Sequence, residues 1–200
     1  MEIAMRKSVL AVLLAVIVLA PAPAWGHEEL RLPPETTDEQ LAEAFKGLTK
    51  LKWLYLEDTQ VTDAGLVHLK GLTKLETLDL YGTKVTDAGL EHLKGMTKLE
   101  VLRLSSTKVT GTGLVRLKGL TSQKYLGLNG TQLTVAGLVH LKGLTNLEWL
   151  ELTRTKVSDA GLVHLTGLTN LEELNLGVTQ VTDAGVASLK QALPNCTIVR

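Results

Sequence analysis

The chain has 200 residues, and its 21 basic and 21 acidic side chains balance to a formal net charge of zero. Such a balance argues against nucleic acid or an anionic membrane as a partner. A single cysteine, Cys196, excludes an internal disulfide, so stability must come from an apolar core.

The N-terminal segment, residues 1–26, has the features of a signal peptide. Arg6 and Lys7 form a short positive region, an apolar run follows, and Ala24 and Gly26 supply small residues before His27. The run is shorter than the roughly 20 residues that span a bilayer. We therefore expect a secreted or periplasmic protein that does not contact the membrane after cleavage. The alternative is an uncleaved N-terminal anchor.

Two short segments precede the regular part of the chain. Residues 27–36 are polar, contain two prolines and show no periodicity, so they are predicted to be a linker. Residues 37–46 are predicted to form a cap helix with no strand before it. Phe45, the only Phe in the chain, is expected to cover the open end of the core.

A 24-residue pattern then recurs six times without insertion, from residue 47 to residue 190. In the second copy, GLTKLETLDLYGTKVTDAGLEHLK, Leu78 and Leu80 alternate with other residues, as in a short strand. Leu90 and Leu93 follow a Thr-Asp start that is typical of a short helix. A fixed period of this length predicts a stack of similar units with all strands parallel in one sheet.

The pattern LxxLxLxxTxVTDAGLxxLxGL resembles the leucine-rich repeat family, and most of all its secreted bacterial subtype with the Thr-Asp-Ala-Gly-Leu (TDAGL) sequence. The resemblance covers residues 37 to about 198. It implies an α/β fold, a right-handed solenoid with a parallel sheet on the concave face and short helices on the convex face. One departure is a threonine where the family often has Asn or Cys. We interpret this column as structural, because a Thr hydroxyl can bond to the turn backbone; its members are Thr59, Thr83, Thr107, Thr131, Thr155 and Thr179.

The end of the repeat array and one of its inner positions depart from the pattern. Residues 191–200 are predicted to be a C-terminal cap, in which Pro194 ends the last helix and the residues from Cys196 to Val199 form a closing strand. Five copies have leucine at the first core position of the strand, whereas the fourth has Gln123. We expect this buried amide to make the fourth copy the weak joint of the stack.

The residues between the strand leucines point to the concave face. Every Trp and Tyr after the signal peptide lies at these positions, and such side chains are common anchors of protein interfaces. Arg103 is expected to pair with Asp79 on the neighbouring strand. We predict a protein partner bound by concave residues: Trp53, Tyr55, Asp79, Tyr81, Arg103, Tyr125, Asn129, Trp149, Glu151 and Arg154. Three alternatives remain: a structural or envelope-associated repeat protein, glycan binding through the same aromatics, and aromatics that merely suit strands.

No catalytic, cofactor or metal site is predicted. The concave face has no histidine that could activate Ser105 or Ser106. His68, His92, His140 and His164 form a column on the outer helices, and packed helices stand about 8–10 Å apart, too far to share one ion. We interpret that column as a solvated outer face. The expectation is a monomeric, non-enzymatic protein without cofactors.

Overall fold

The strands of the protein form a single parallel sheet, in which paired residues are 24 positions apart in the sequence. The structure, a computed structural model, describes residues 28–200, so the predicted signal peptide lies outside the described residues. Eight strands stand in chain order, and each aligns with the residues 24 positions further along: β1 Glu29–Arg31, β2 Trp53–Tyr55, β3 Thr77–Asp79, β4 Val101–Arg103, β5 Tyr125–Gly127, β6 Trp149–Glu151, β7 Glu173–Asn175 and β8 Thr197–Val199. The α/β solenoid expected from the repeats is therefore confirmed.

Short helices return the chain from each strand to the next. The α-helices are α1 Asp38–Ala44, α2 Asp63–Leu66, α3 Val135–Leu138, α4 Asp159–Leu162 and α5 Asp183–Ala192. Tight 3₁₀ turns span Val67–Gly71, Gly89–Leu93, Gly113–Leu117 and Val139–Leu141. A 24-residue unit leaves little chain for the helix, which favours the 3₁₀ form used in short pieces. None of the helices within residues 28–200 has the length and hydropathy that crossing a membrane requires.

The expectation that no strand precedes the cap helix is wrong. Strand β1 lies inside the segment predicted to be a linker, and Leu30 aligns with Leu54 of β2. Helix α1 follows it, as a helix follows every other strand of the repeats, and Phe45 is buried against the core. The cap is thus an additional strand and helix on the same period.

Leucine columns form one continuous core from Leu32 to Cys196. The threonine column supports each turn after a strand. The Thr83 hydroxyl donates to the Leu80 carbonyl at 2.7 Å, and the same bond recurs in all six copies at 2.6–2.7 Å. The structural interpretation of these threonines is confirmed. Pro194 follows the end of α5, and β8 closes the sheet as expected.

The aspartate of the TDAGL motif joins neighbouring copies, a role that the pattern within one repeat does not reveal. The Asp63 carboxylate accepts from the Thr86 N–H at 2.7 Å and from the Thr86 hydroxyl at 2.6 Å. Equivalent pairs of bonds join Asp38 to Thr62, Asp87 to Thr110 and Asp159 to Thr182. In the last pair, the bonds from Thr182 hold the pKa of the Asp159 carboxyl below its usual value.

The glycine of the same motif makes room for that aspartate. A Cβ atom on Gly89 would lie 2.4 Å from Asp63 Oδ1, so a side chain there would displace the Asp63 carboxylate. The third and fourth copies lack the aspartate and have Gly111 and Val135 instead. There the two backbones approach directly, because a Cβ on Gly111 would lie 2.4 Å from the Cα of Gly137. The middle of the stack therefore lacks two of the links that join the other copies.

In each of the six copies, the third residue after the end of the strand has a left-handed backbone conformation. Two copies use glycine there, Gly82 and Gly130, whereas the last copy has Val178 at φ 57° with 76% of its surface exposed. A β-branched residue is strained in this region, since its Cβ crowds the backbone, at a cost of about 1–2 kcal/mol.

We expect Val178→Gly to raise the free energy of unfolding by about 1 kcal/mol, because the released strain exceeds the added entropy of the unfolded chain. Urea unfolding measures the change. Gly130→Val is the reciprocal variant, since the space around Gly130 is open apart from Ser106 Oγ at 3.7 Å. It should destabilise by a similar amount. Equal stability of the wild type and both variants would show that the left-handed backbone does not strain Val178.

Candidate functional site

Three rows of side chains cover the concave face. Two rows come from the strands and the third lies two residues further on; the leucines between them are buried. The rows, from the first copy to the sixth, are Trp53, Thr77, Val101, Tyr125, Trp149, Glu173; Tyr55, Asp79, Arg103, Gly127, Glu151, Asn175; and Glu57, Tyr81, Ser105, Asn129, Thr153, Gly177. Every Trp and Tyr of the described chain belongs to these rows. The predicted direction of these side chains is confirmed.

An ion pair crosses the middle of this face. Arg103 Nη1 lies 3.1 Å from Asp79 Oδ2, and Asp79 is only 4% exposed. The other oxygen of Asp79 accepts from the Tyr81 N–H at 2.9 Å. The Arg103 guanidinium also stands over the Tyr125 ring, 5.5 Å from its centroid. The predicted pairing is confirmed, so Arg103 is held in place by Asp79 and Tyr125 and is not a free anion-binding group.

An open depression of about 380 Å³ surrounds this ion pair. It is lined by Glu57, Asp79, Tyr81, Arg103, Ser105, Tyr125 and Asn129, from the first four copies. Tyr81 forms an exposed wall, with 43% of its surface accessible. Burial raises the pKa of Tyr125, and the Glu151 carboxylate adds to the rise, so this phenol stays protonated at neutral pH. The depression thus combines aromatic surface with polar groups of both charges.

Two lining residues, Glu57 and Ser105, are absent from the predicted site. Arg31 pairs with one oxygen of Glu57 and stands 4.3 Å over the Tyr55 ring, while Glu57 Oε2 is buried without a partner among the described residues. Arg31 belongs to strand β1, which lies in the segment predicted to be a linker, so its pair with Glu57 was not predicted. Ser105 is buried, and its Oγ accepts from the Asn129 N–H at 3.1 Å. Its place in the third row was the available signal.

Five predicted residues lie outside the depression: Trp53, Tyr55, Trp149, Glu151 and Arg154. Tyr55 and Trp149 flank it, because Tyr55 aligns with Asp79 and Trp149 with Tyr125 in the sheet. Glu151 contacts the rim, since its Oε2 accepts from Asn129 Nδ2 at 3.3 Å. Arg154 lies in the turn after its strand, at φ 57°, and is exposed.

The histidine column is less solvated than expected. His68 is exposed, but His92 and His164 are only partly exposed, and the Nδ1 atom of each is buried without a partner in the described structure. Within residues 28–200, no three His, Cys, Asp or Glu side chains are placed to hold a metal ion together. Burial raises the pKa of the Cys196 thiol, which disfavours the reactive thiolate.

Comparison with known families and structures agrees with this geometry. A model of two leucine-rich repeats matches residues 49–95, and a single leucine-rich repeat model matches residues 95–118 and 167–190. These matches support the leucine-rich repeat family, and the parallel sheet described above is consistent with a leucine-rich-repeat solenoid. No curated protein matches the sequence.

Solved structures with the same fold include two internalins of Listeria monocytogenes. Internalin C2 shares 29% identity at a TM-score of 0.67, over 86% of this chain and 80% of that one. InlF shares 25% identity at a TM-score of 0.65, over 80% of this chain. A leucine-rich-repeat protein of Leptospira interrogans, 19% identical over 86% of this chain, shows the fold alone at a TM-score of 0.59. This chain spans 43% of InlF and 48% of the Leptospira protein.

Proposed function

We propose that this protein is a non-enzymatic binding module that recognises a protein partner on its concave face. Leucine-rich repeat proteins are commonly protein-interaction modules, which supports the general class. The observation that carries the proposal is the placement of the aromatic residues. Tyr81 and Trp149 are 43% and 37% exposed on the same face, on either side of Arg103. Exposed aromatic side chains of this size are typical anchors of interfaces.

The chemistry of the depression favours a protein over a glycan. Protein interfaces combine aromatic and arginine anchors with charged groups that set orientation. Here Arg103 and Asp79 are fixed in an ion pair between Tyr81 and Tyr125. A partner that places its own polar groups beside this pair gains both a defined orientation and aromatic contact. Glycan binding, and a structural role in the envelope, are the other outcomes of the test.

Photo-crosslinking distinguishes these outcomes even though the partner is unidentified. A benzophenone side chain at position 81 reports on the concave face, and one at position 163 reports on the convex face, where Val163 is 62% exposed. We expect one defined protein adduct from position 81 and none from position 163. Identical adducts from both positions, or retention by polysaccharide alone, would refute a protein partner on the concave face.

The location and state of the protein are part of the same proposal. We propose that the repeats belong to the secreted bacterial TDAGL subtype, and that the protein acts as a monomer outside the cytoplasm after cleavage before His27. The charged, apolar and small-residue order of the first 26 residues supports export. N-terminal sequencing of the exported protein should begin at His27; an intact Met1 in a membrane fraction would contradict cleavage.

A further inference from the structure

The connections that lead from each helix into the next strand carry lysines without an ion-pair partner. We call this set the lysine edge: Lys50, Lys70, Lys74, Lys98, Lys118 and Lys142. All six are exposed, and none forms a salt bridge within residues 28–200. Lys46, Lys52, Lys94 and Lys124, by contrast, each pair with a glutamate. The lysine edge runs along the first four copies, at the end of the sheet where the strands begin.

The later copies show that the connection needs no lysine. Lys50, Lys74 and Lys98 occupy one repeat position, which the later copies fill with Ser122, Asn146 and Asn170. Each of these three donates to a carbonyl of the preceding connection: Ser122 Oγ to Thr97 O at 2.8 Å, Asn146 Nδ2 to Thr121 O at 2.8 Å and Asn170 Nδ2 to Thr145 O at 2.9 Å. A side chain that ties the connections together is therefore compatible with the fold. The lysines of the first three copies make no such bond.

We propose that the lysine edge binds a flexible, linear polyanion that carries phosphate groups and no bases. Lys50, Lys74 and Lys98 stand just before the strands of three adjacent copies, whose spacing is about 4.8 Å, so they present a row of positive charges to an extended chain. Lysine is a point charge that contacts phosphate without a fixed geometry. The connections that carry these lysines contain no aromatic side chain on which a base could stack, since the rings of Trp53, Tyr125 and Trp149 belong to the first row of the concave face.

The acidic residues near the lysine edge are too few to neutralise it, so the edge keeps an excess of positive charge. Glu28, Glu91 and Glu100 already pair with Lys52, Lys94 and Lys124. Glu76 and Glu148 have no salt bridge in the described chain and partly offset the six lysines. The formal net charge of zero for the whole chain thus conceals a local basic row.

Binding of inorganic polyphosphate to the full chain tests the proposal at low and high salt. The double variant Lys74→Gln/Lys98→Gln removes two charges of the lysine edge. The matched control is Lys84→Gln/Lys108→Gln, which removes two exposed lysines from the same copies at the opposite end of the strands. We expect the first variant to bind roughly tenfold more weakly at about 50 mM salt, with a log–log salt slope smaller by about 1.4. The control should bind as the wild type does.

Three results would overturn the proposal. They are no binding of polyphosphate by the wild type at low salt, an equal loss in the control variant, or tighter binding of single-stranded DNA of the same charge. The concave face contributes no residue to the lysine edge, so a failure here leaves the proposed protein partner untouched. Loss of the protein partner through concave variants would likewise leave polyphosphate binding unchanged.

Discussion

Alanine at both Tyr81 and Trp149 is expected to abolish binding of the concave partner and to leave the fold intact. Truncation of an aromatic anchor commonly costs about 2 kcal/mol or more in binding free energy, so the pair should weaken affinity by at least a hundredfold. Both side chains are among the exposed large residues of the protein. Exposed substitutions usually change stability by only about 0.5 kcal/mol. Titration calorimetry with the partner that the crosslinking identifies measures the loss of affinity. Urea unfolding measures the change in stability.

The matched control replaces exposed apolar residues on the convex side. Val67 and Val163 are 42% and 62% exposed on or beside the outer helices, so Val67→Ala/Val163→Ala removes apolar surface of a similar kind. Its affinity for the partner should equal that of the wild type. If the concave variant retains binding, the proposed binding face is wrong. If it unfolds, Tyr81 and Trp149 stabilise the fold, which contradicts their role as exposed anchors.

Gln123→Leu is expected to stabilise the protein by about 1.5–3 kcal/mol, the value of a buried leucine side chain. The Gln123 side chain is completely buried, and neither amide atom has a hydrogen-bond partner among the described residues. An unsatisfied buried amide costs about 1–3 kcal/mol, a penalty of the same size as the expected gain, so its removal supports a stabilisation in this range. Leu99 and Leu147, at the same position in the adjacent copies, are fully buried, so this position accommodates a leucine side chain.

The reciprocal substitution separates the effect of the amide from that of the position. Leu147→Gln places an amide at the equivalent site one copy later and should destabilise by a comparable amount. Each 1 kcal/mol corresponds to a shift of about 2–4 °C in the unfolding midpoint for a chain of this size. A lower midpoint for Gln123→Leu than for the wild type would show that Gln123 is required for packing at the joint.

The core was predictable because every leucine recurs at the same distance in all copies. Leu54, Leu78 and Leu102 are buried as the period-two pattern requires, and the aromatic residues between them point outward. Strand β1 was missed because a single short segment has no period of its own. Its signal existed, since Leu30 and Leu32 stand 24 residues before Leu54 and Leu56.

The contacts between copies were harder to predict than the copies themselves. The bonds from Thr86 to Asp63 and the close approach of Gly89 involve residues that only the stacking brings together. The depression depends likewise on where long side chains end. Glu57 lines the depression and also pairs with Arg31 of strand β1. No pattern within one repeat encodes that pair.

Hydrogen–deuterium exchange of the free and partner-bound protein tests the concave-face proposal most directly. We predict slower exchange on binding in residues 77–82, 101–106 and 125–130, which carry Tyr81, Arg103 and Tyr125. The convex turns Gly89–Leu93 and Gly113–Leu117 should exchange at the same rate in both states. Protection of those turns, with unchanged exchange in the strands, would contradict recognition through the concave face.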